Sequence, residues 1–267
     1  MAEIIAVANQ KGGVAKTTVT HNLAAALALK KKKVLMVDLD SQASLTFCAG
    51  IKNPFDYDGY NIVSILEKNS KVDIHDCIYP AGASEQMDDY LYLLPSVIDL
   101  AQMENIMYSR TSRERILAKA LQPVHDEFDY ILLDCPPQLG LMTINALSCA
   151  DGVMIPCKTE ILSYRGLKQL EETIQDIQDL VNPHLQIYGV IAAMFQMRLK
   201  HDQEILQHLQ QEYSVLAVIK QAVAVKKGIS GGLSIVESMP RHEISKTMLM
   251  LADLVIQGEW QNRRENQ

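Results

Sequence analysis

The chain has no surplus of positive charge: 25 Lys and Arg stand against 32 Asp and Glu, for a net charge of -7. That balance excludes a generally basic nucleic-acid coat and confines any anionic partner to a local patch. CxxC pairs are missing as well. Cys48, Cys77, Cys135, Cys149 and Cys157 are odd in number and sit mostly within apolar runs, the pattern of reduced core thiols and not of a disulfide framework or a zinc cage. No His spacing, His201 and His208 included, makes a metal site. No apolar run approaches the roughly 20 residues of a membrane helix, and Met-Ala-Glu-Ile-Ile does not begin a secretion signal. A cytoplasmic protein that neither spans nor anchors in a membrane is the expectation. Internal repeats and low-complexity tracts are absent too.

What remains is ample core material, 48% hydrophobic over 267 residues, read as a single domain spanning 1–267. Short apolar runs alternate with helical patterns, which is the signature of βαβ units and a doubly wound, mostly parallel α/β sheet flanked by helices. Strands are expected at Ile4 to Ala8, Val34 to Val37, Tyr90 to Leu94, Tyr130 to Leu133, Gly152 to Ile155, Ile187 to Ala193 and Val215 to Ile219. A helix is expected from Thr17 to about Lys32, and a last one at about 241–257, with Met248, Leu251, Ala252 and Val255 among its apolar residues. The stretch at about 52–89 is less periodic and reads as an irregular excursion carrying one short helix near Ile62 to Glu67. Lys30 to Lys33 falls at a helix end, where cations complement the helix dipole; solvated surface is favoured there over a nucleic-acid patch.

Between the first strand and the first helix stands Gln10-Lys11-Gly12-Gly13-Val14-Ala15-Lys16-Thr17-Thr18. Strand, glycine loop and helix are the context a phosphate-binding loop requires. Gly12 and Gly13 let the backbone approach phosphate oxygens, and successive amides at a helix amino terminus favour an anion. Lys16 is placed to reach the β- and γ-phosphates and Thr17 to hold Mg²⁺. A ligand-free glycine turn is the alternative, and the Lys-Thr pair opening the helix argues against it. The loop departs from GxxxxGK[ST] in two ways: Gln10 and Ala15 replace the glycines, and Lys11 adds a cation. An added methyl at Ala15 costs little if φ is negative and strains the loop if φ is positive.

With Lys11 in that place, the loop resembles the KGGxGK[ST] of the ParA/MinD group of deviant Walker ATPases. The resemblance extends to Val37-Asp38-Leu39-Asp40-Ser41-Gln42, similar to VDxDPQ, to Asp134-Cys135-Pro136-Pro137, similar to the Walker B DCPP, and more loosely to Ile155-Pro156 and Leu162 to Leu167. It implies ATP and Mg²⁺ bound between the two subunits of a homodimer. Residues 11 to 18 hold the nucleotide, Lys11 reaches the opposite subunit's ATP, Asp40 orients the attacking water, and Asp134 supports the metal through water.

The resemblance is greatest to the ParA/Soj branch, and implies slow ATP hydrolysis stimulated by DNA and by a ParB-like centromere-binding or cargo adaptor protein. It further implies nonspecific binding to double-stranded DNA, nucleoid association, and positioning of plasmid, chromosome or other cargo. Arg198 and Lys200, and Lys226 and Lys227, are the candidate DNA contacts, with ordinary surface charge as their alternative. A MinD-like role at a membrane is the runner-up, with Trp260, Arg263 and Arg264 its only support. A nonhydrolysing scaffold is a further alternative. Iron–sulfur electron transfer, found in another branch, loses to core thiols.

Overall fold

In the computed structural model, the described residues are 1–51, 59–82, 87, 89–221 and 232–260. Eight strands form one sheet: β1 (Glu3–Val7), β2 (Val34–Asp38), β3 (Tyr79–Pro80), β4 (Leu91–Leu94), β5 (Tyr130–Asp134), β6 (Gly152–Lys158), β7 (Gln186–Phe195) and β8 (Val215–Lys220). Their order is β3-β4-β2-β5-β1-β6-β7-β8, and every neighbouring pair is parallel except β3 with β4. The parallel strands read as unbroken apolar runs because both of their faces are covered. Ile5 and Val7 point into one core cluster while Ile4, Ala6 and Ala8 point into the other, as period-two alternation demands.

One layer contains α1 (Lys16–Leu29), which is buried almost all round. Its Ala24-Ala25-Ala26 run lets it lie close between the sheet and the last helix, with which it shares a core cluster. The other layer includes α4 (Leu100–Met107), α5 (Ile116–Leu121), α6 (Leu141–Cys149), α7 (Ile161–Leu180) and α8 (Lys200–Glu212). Three short helices, α2 (Ser44–Cys48), α3 (Ile62–Leu66) and α9 (Ile235–Ser238), precede or follow these, and α10 (Glu243–Gln257) closes the described chain. Met248, Leu251, Ala252 and Val255 of α10 are buried. No helix among the described residues is long and apolar enough to cross a membrane. Trp260 is itself buried, stacked on Tyr188 with ring centroids 3.7 Å apart, so its ring is not free for a lipid surface; Arg263 and Arg264 lie outside the described residues.

All seven expected strands are present. The expected first helix is shorter: α1 stops at Leu29 because Lys31 turns into the left-handed region at φ 64°. The lysines beyond it are surface residues with local partners. Lys30 Nζ is 2.7 Å from Asp253, Lys31 lies over the Tyr90 ring, and Lys33 lies over Tyr92 and Phe128. Strand β3 was not expected, since two residues carry no periodicity; it pairs antiparallel with β4 through Tyr79 opposite Leu93. Within 52–89, the short helix is α3, while residues 52–58, 83–86 and 88 lie outside the described set.

Candidate nucleotide site

Central strand β1 is flanked by β5 on one side and β6 on the other. The chain winds away in both directions from this point, and in such sheets the crevice lies beyond the strands' carboxyl ends. The 10–18 loop fills that position. Asn9, itself buried, anchors its start: the side-chain amide donates to the Pro156 carbonyl at 2.7 Å while its oxygen accepts the Lys11 N–H at 2.9 Å. Gly13 adopts φ 68°. A Cβ added at Gly13 would meet nothing within 4 Å, and one at Gly12 only Pro137 at 3.8 Å, so the loop frames open space. Ala15 takes φ 73°, the strained alternative for a residue bearing a Cβ.

That space is a cavity of about 510 Å³ lined by Gly12, Gly13, Ala15, Lys16, Thr17 and Thr18, with Asp40 across from them. Val14 is fully buried beneath the loop. Lys16 is buried too, and among the described residues its ammonium has one long hydrogen bond, 3.4 Å to the Lys11 carbonyl. Burial holds the Lys16 pKa below its usual value, with Asp134, Cys135 and Asp40 pulling against that shift. A buried cation with so little to pair with suits an anion in the cavity.

Below the loop, Asp134 ends β5 in register with Asp38 at the end of β2. The Thr17 hydroxyl donates to Asp134 Oδ2 at 2.7 Å and the Thr20 hydroxyl to Oδ1 at 3.3 Å. Asp38 accepts the Thr46 N–H and hydroxyl, each at 2.8 Å, and the Asp40 N–H at 3.1 Å. Burial first, then the neighbouring carboxylate, pushes the Asp134 pKa up to about 8; burial likewise lifts Asp38 to about 6. Asp40 is half-buried and caps the following turn by accepting the Gln42 N–H at 2.9 Å. Among the described residues no group of three or more His, Cys, Asp or Glu could hold a metal. Thr17 and Asp134 offer hard oxygens for Mg²⁺, which ordinarily draws its remaining ligands from phosphate and water.

Lys11 lies apart from the cavity lining. Its Nζ donates to Glu160 Oε2 at 2.8 Å and to the Ser163 hydroxyl at 3.1 Å, at the amino end of α7. Arg198 and Lys200 are exposed on the turn from β7 into α8, where Lys200 approaches Glu204 at 3.6 Å. Lys226 and Lys227 lie outside the described residues. Cys48, Cys77, Cys135 and Cys157 are buried and Cys149 is half-buried. Sequence reading assigned no role to Asn9, Thr20, Asp38, Glu160 or Ser163. Asp38 carried a signal in its spacing from Asp40, and the others carried none, because the contacts that bring them to the site (Pro156, Asp134 and Lys11) are distant in sequence.

Residues 2–187 match the AAA domain family. The sporulation initiation inhibitor protein Soj of Bacillus subtilis is 34% identical over 264 residues, covering 94% of this chain and 97% of that protein. The chromosome-partitioning ATPase Soj of Treponema pallidum is 34% identical, covering 78% of each chain. A crystal structure of cobyrinic acid a,c-diamide synthase from Mycobacterium smegmatis with bound ADP and magnesium is 34% identical, with a TM-score of 0.74 over 92% of this chain and 97% of that one. The chain spans 65% of the length of uncharacterised relatives that it matches in Mycobacterium tuberculosis. Family match, Soj relatives and loop geometry agree: the chain belongs to the AAA domain family and, within it, to the ParA/Soj-type partition ATPases of the deviant Walker A group.

Proposed function

We propose that the protein is a nucleotide-gated positioning ATPase. It dimerises around Mg·ATP, binds double-stranded DNA without sequence preference in that state, and leaves DNA when a ParB-like partner stimulates hydrolysis. The observation that carries this reading is the buried Lys16, with one long hydrogen bond among the described residues, facing an open 510 Å³ cavity that Thr17 also lines, its hydroxyl bonded to Asp134. Support comes also from the partitioning ATPase named among its relatives and from the ADP and magnesium in the related crystal structure.

In this mechanism Lys16, the loop amides and Thr17 bind and orient the triphosphate, while Asp134 holds Thr17 in place. When bound, Mg²⁺ supplies Lewis-acid neutralisation of phosphate charge. Asp40 orients the attacking water. Lys11 leaves Glu160 and Ser163 and offers its ammonium to the other subunit's nucleotide, where it neutralises charge developing in the transition state. The γ-phosphate thereby biases a population of DNA-binding dimers, and hydrolysis removes that bias.

Binding to nonspecific duplex DNA tests the reading, measured with no nucleotide, ADP, ATP or a nonhydrolysable ATP analogue, at one moderate salt concentration. Binding confined to ATP and its analogue is expected. Lys11→Ala is expected to bind ATP yet fail to dimerise by sedimentation and to lose stimulated phosphate release; retention of both would overturn the role given to Lys11. A wild-type protein that binds ATP and never DNA would transfer the reading to a MinD-like role in positioning proteins or acting at a membrane.

A further inference from the structure

One buried carboxylate belongs to none of the roles above. Asp202 lies in the first turn of α8 and is 3% exposed. A carboxylate in that place ordinarily caps its own helix by accepting the free amides there. Asp202 is engaged elsewhere. Its Oδ2 accepts the Thr159 hydroxyl at 2.8 Å and the Gln196 backbone N–H at 2.8 Å, and its Oδ1 lies 2.8 Å from His201 Nε2.

Each of those partners matters by its position. Thr159 directly follows β6 and precedes Glu160, the residue that holds Lys11. Gln196 directly follows β7 and opens the turn carrying Arg198 and Lys200; the turn is closed by the Leu199 N–H donating to the Gln196 carbonyl at 3.0 Å. Two residues before Gln196, Met194 lines the nucleotide cavity at a register shift between β7 and β8, with φ 58°. Bulges of this kind re-aim strand ends beside functional sites. One carboxylate thus joins the strand end next to Lys11's anchor and the strand end next to the exposed cations.

We propose that Asp202 is a positioning residue that ties the Gln196–Lys200 turn to the Thr159–Glu160 junction, so that the turn's placement follows the state of Lys11. The inference rests on the functional reading above, in which Lys11 has two alternative partners. While Lys11 is held by Glu160 and Ser163, the junction is fixed by an ion pair and a bond to a buried hydroxyl. Withdrawal of Lys11 toward a nucleotide removes both contacts from the residues beside Thr159. The Thr159 hydroxyl bond transmits that change to Asp202, and Asp202 transmits it to the Gln196 amide. Thr159 and Asp202 are almost fully buried, so losing the bond between them leaves the Thr159 hydroxyl without that partner and the coupling is strong for its size.

The test is amide hydrogen exchange of the full chain with Mg²⁺ and either ADP or a nonhydrolysable ATP analogue, read for segments 8–20 and 195–203. Three proteins are compared: wild type, Thr159→Val and Thr159→Ser. Valine keeps the branched shape without the donor, and serine restores the donor. In wild type the 195–203 segment is expected to exchange at different rates in the two nucleotide states. In Thr159→Val that difference disappears and exchange there quickens about three- to tenfold, while segment 8–20 still responds to nucleotide; Thr159→Ser recovers the wild-type pattern. A nucleotide response at 195–203 that is missing in wild type, or unchanged in Thr159→Val, overturns the proposal. DNA binding of the same proteins separates the two ideas. If wild type shows the coupled response yet binds no DNA, the coupling stands and the DNA reading falls.

Discussion

The carboxyl ends of β1, β2 and β5 and the carboxyl ends of β6 and β7 are built in opposite ways. At the first, carboxylates are buried and bonded over short distances, Asp134 by Thr17 and Asp38 by Thr46, while the buried Lys16 is left with one long hydrogen bond among the described residues. At the second, Arg198 and Lys200 are exposed, and among the bonds that hold their turn is one to a buried carboxylate, Asp202, which also reaches a threonine 43 residues away. The first arrangement forms a site for a small, highly charged ligand whose geometry must be set beforehand. Under the proposed function, the second is a surface that meets a long polyanion, where position within the molecule matters more than individual contact geometry. In that reading one end discriminates by chemistry and the other acts through placement.

The largest expected effect breaks the first end. Lys16→Ala removes the ammonium from the cavity, and ATP affinity measured by calorimetry is expected to fall about 30-fold to several thousandfold, the range for truncating one partner of a buried charge pair. The exposed turn is not expected to respond: exchange at 195–203 in the nucleotide-free protein should match wild type. A Lys16→Ala protein that binds ATP normally would mean that the loop amides alone define the phosphate site.

Helix α1 provides a sharper version of the same comparison, because two of its basic side chains are buried five residues apart. Lys16 feels the charge of Asp134, whereas among the described residues His21 Nε2 is without a hydrogen bond and burial alone shifts its pKa. Burial lowers the His21 pKa to about 4. Its folded pKa is below the unfolded value of about 6.5, so the unfolded chain takes up the proton first. The stability contributed by neutral His21 is complete above about pH 6.5 and is lost as pH falls toward about 4. From pH 7 to pH 5 the loss is about 2 kcal/mol. Asp38 and Asp134 act in the other direction, since their raised pKa values favour the fold at low pH. The measurement is therefore the difference in urea unfolding between wild type and His21→Leu at each pH. That difference should shift by about 2 kcal/mol in favour of the variant on going from pH 7 to pH 5; a constant difference would mean that His21 is not the titrating group.

The same contrast governs what could be read from the sequence. Gly12, Gly13, Lys16 and Thr17 are contiguous, and the strand before them and the helix after them dictate their arrangement, so spacing alone located the cavity. Asp40 and Asp134 were singled out by the family resemblance of the segments around them, Val37-Asp38 and Cys135-Pro136-Pro137, at the ends of expected strands. Asp202 was silent. A carboxylate in the first turn of a helix is ordinary, and only the fold brings Thr159 and Gln196 to it. Glu160 and Ser163 were silent for the same reason, since the contact with Lys11 joins residues about 150 positions apart. Strand β3 escaped because two residues give no pattern, and the end of α1 was misplaced because a lysine in the left-handed region leaves no trace in composition.

The smallest expected effect concerns the one residue of the phosphate loop whose side chain opposes its backbone. Ala15 is held at φ 73° and ψ 25°, and its carbonyl accepts the Val19 N–H at 2.9 Å as the first hydrogen bond of α1. The helix cannot begin where it does unless this residue stays left-handed, and in that conformation a Cβ costs about 1 kcal/mol or somewhat more. Glycine removes the penalty and gains chain entropy in the unfolded state, which offsets part of the benefit. Ala15→Gly is therefore expected to raise unfolding stability by about 0.5 to 1 kcal/mol, or about 2 °C in Tm for a chain of this size. Lys31→Gly, at φ 64° on the surface, is the matching control far from the cavity. Equal gains would show that the loop bears only the ordinary cost of a left-handed residue. A gain at Ala15 that vanishes when saturating Mg·ATP is present would show that nucleotide binding relieves the strain, making Ala15 part of how the site senses its ligand.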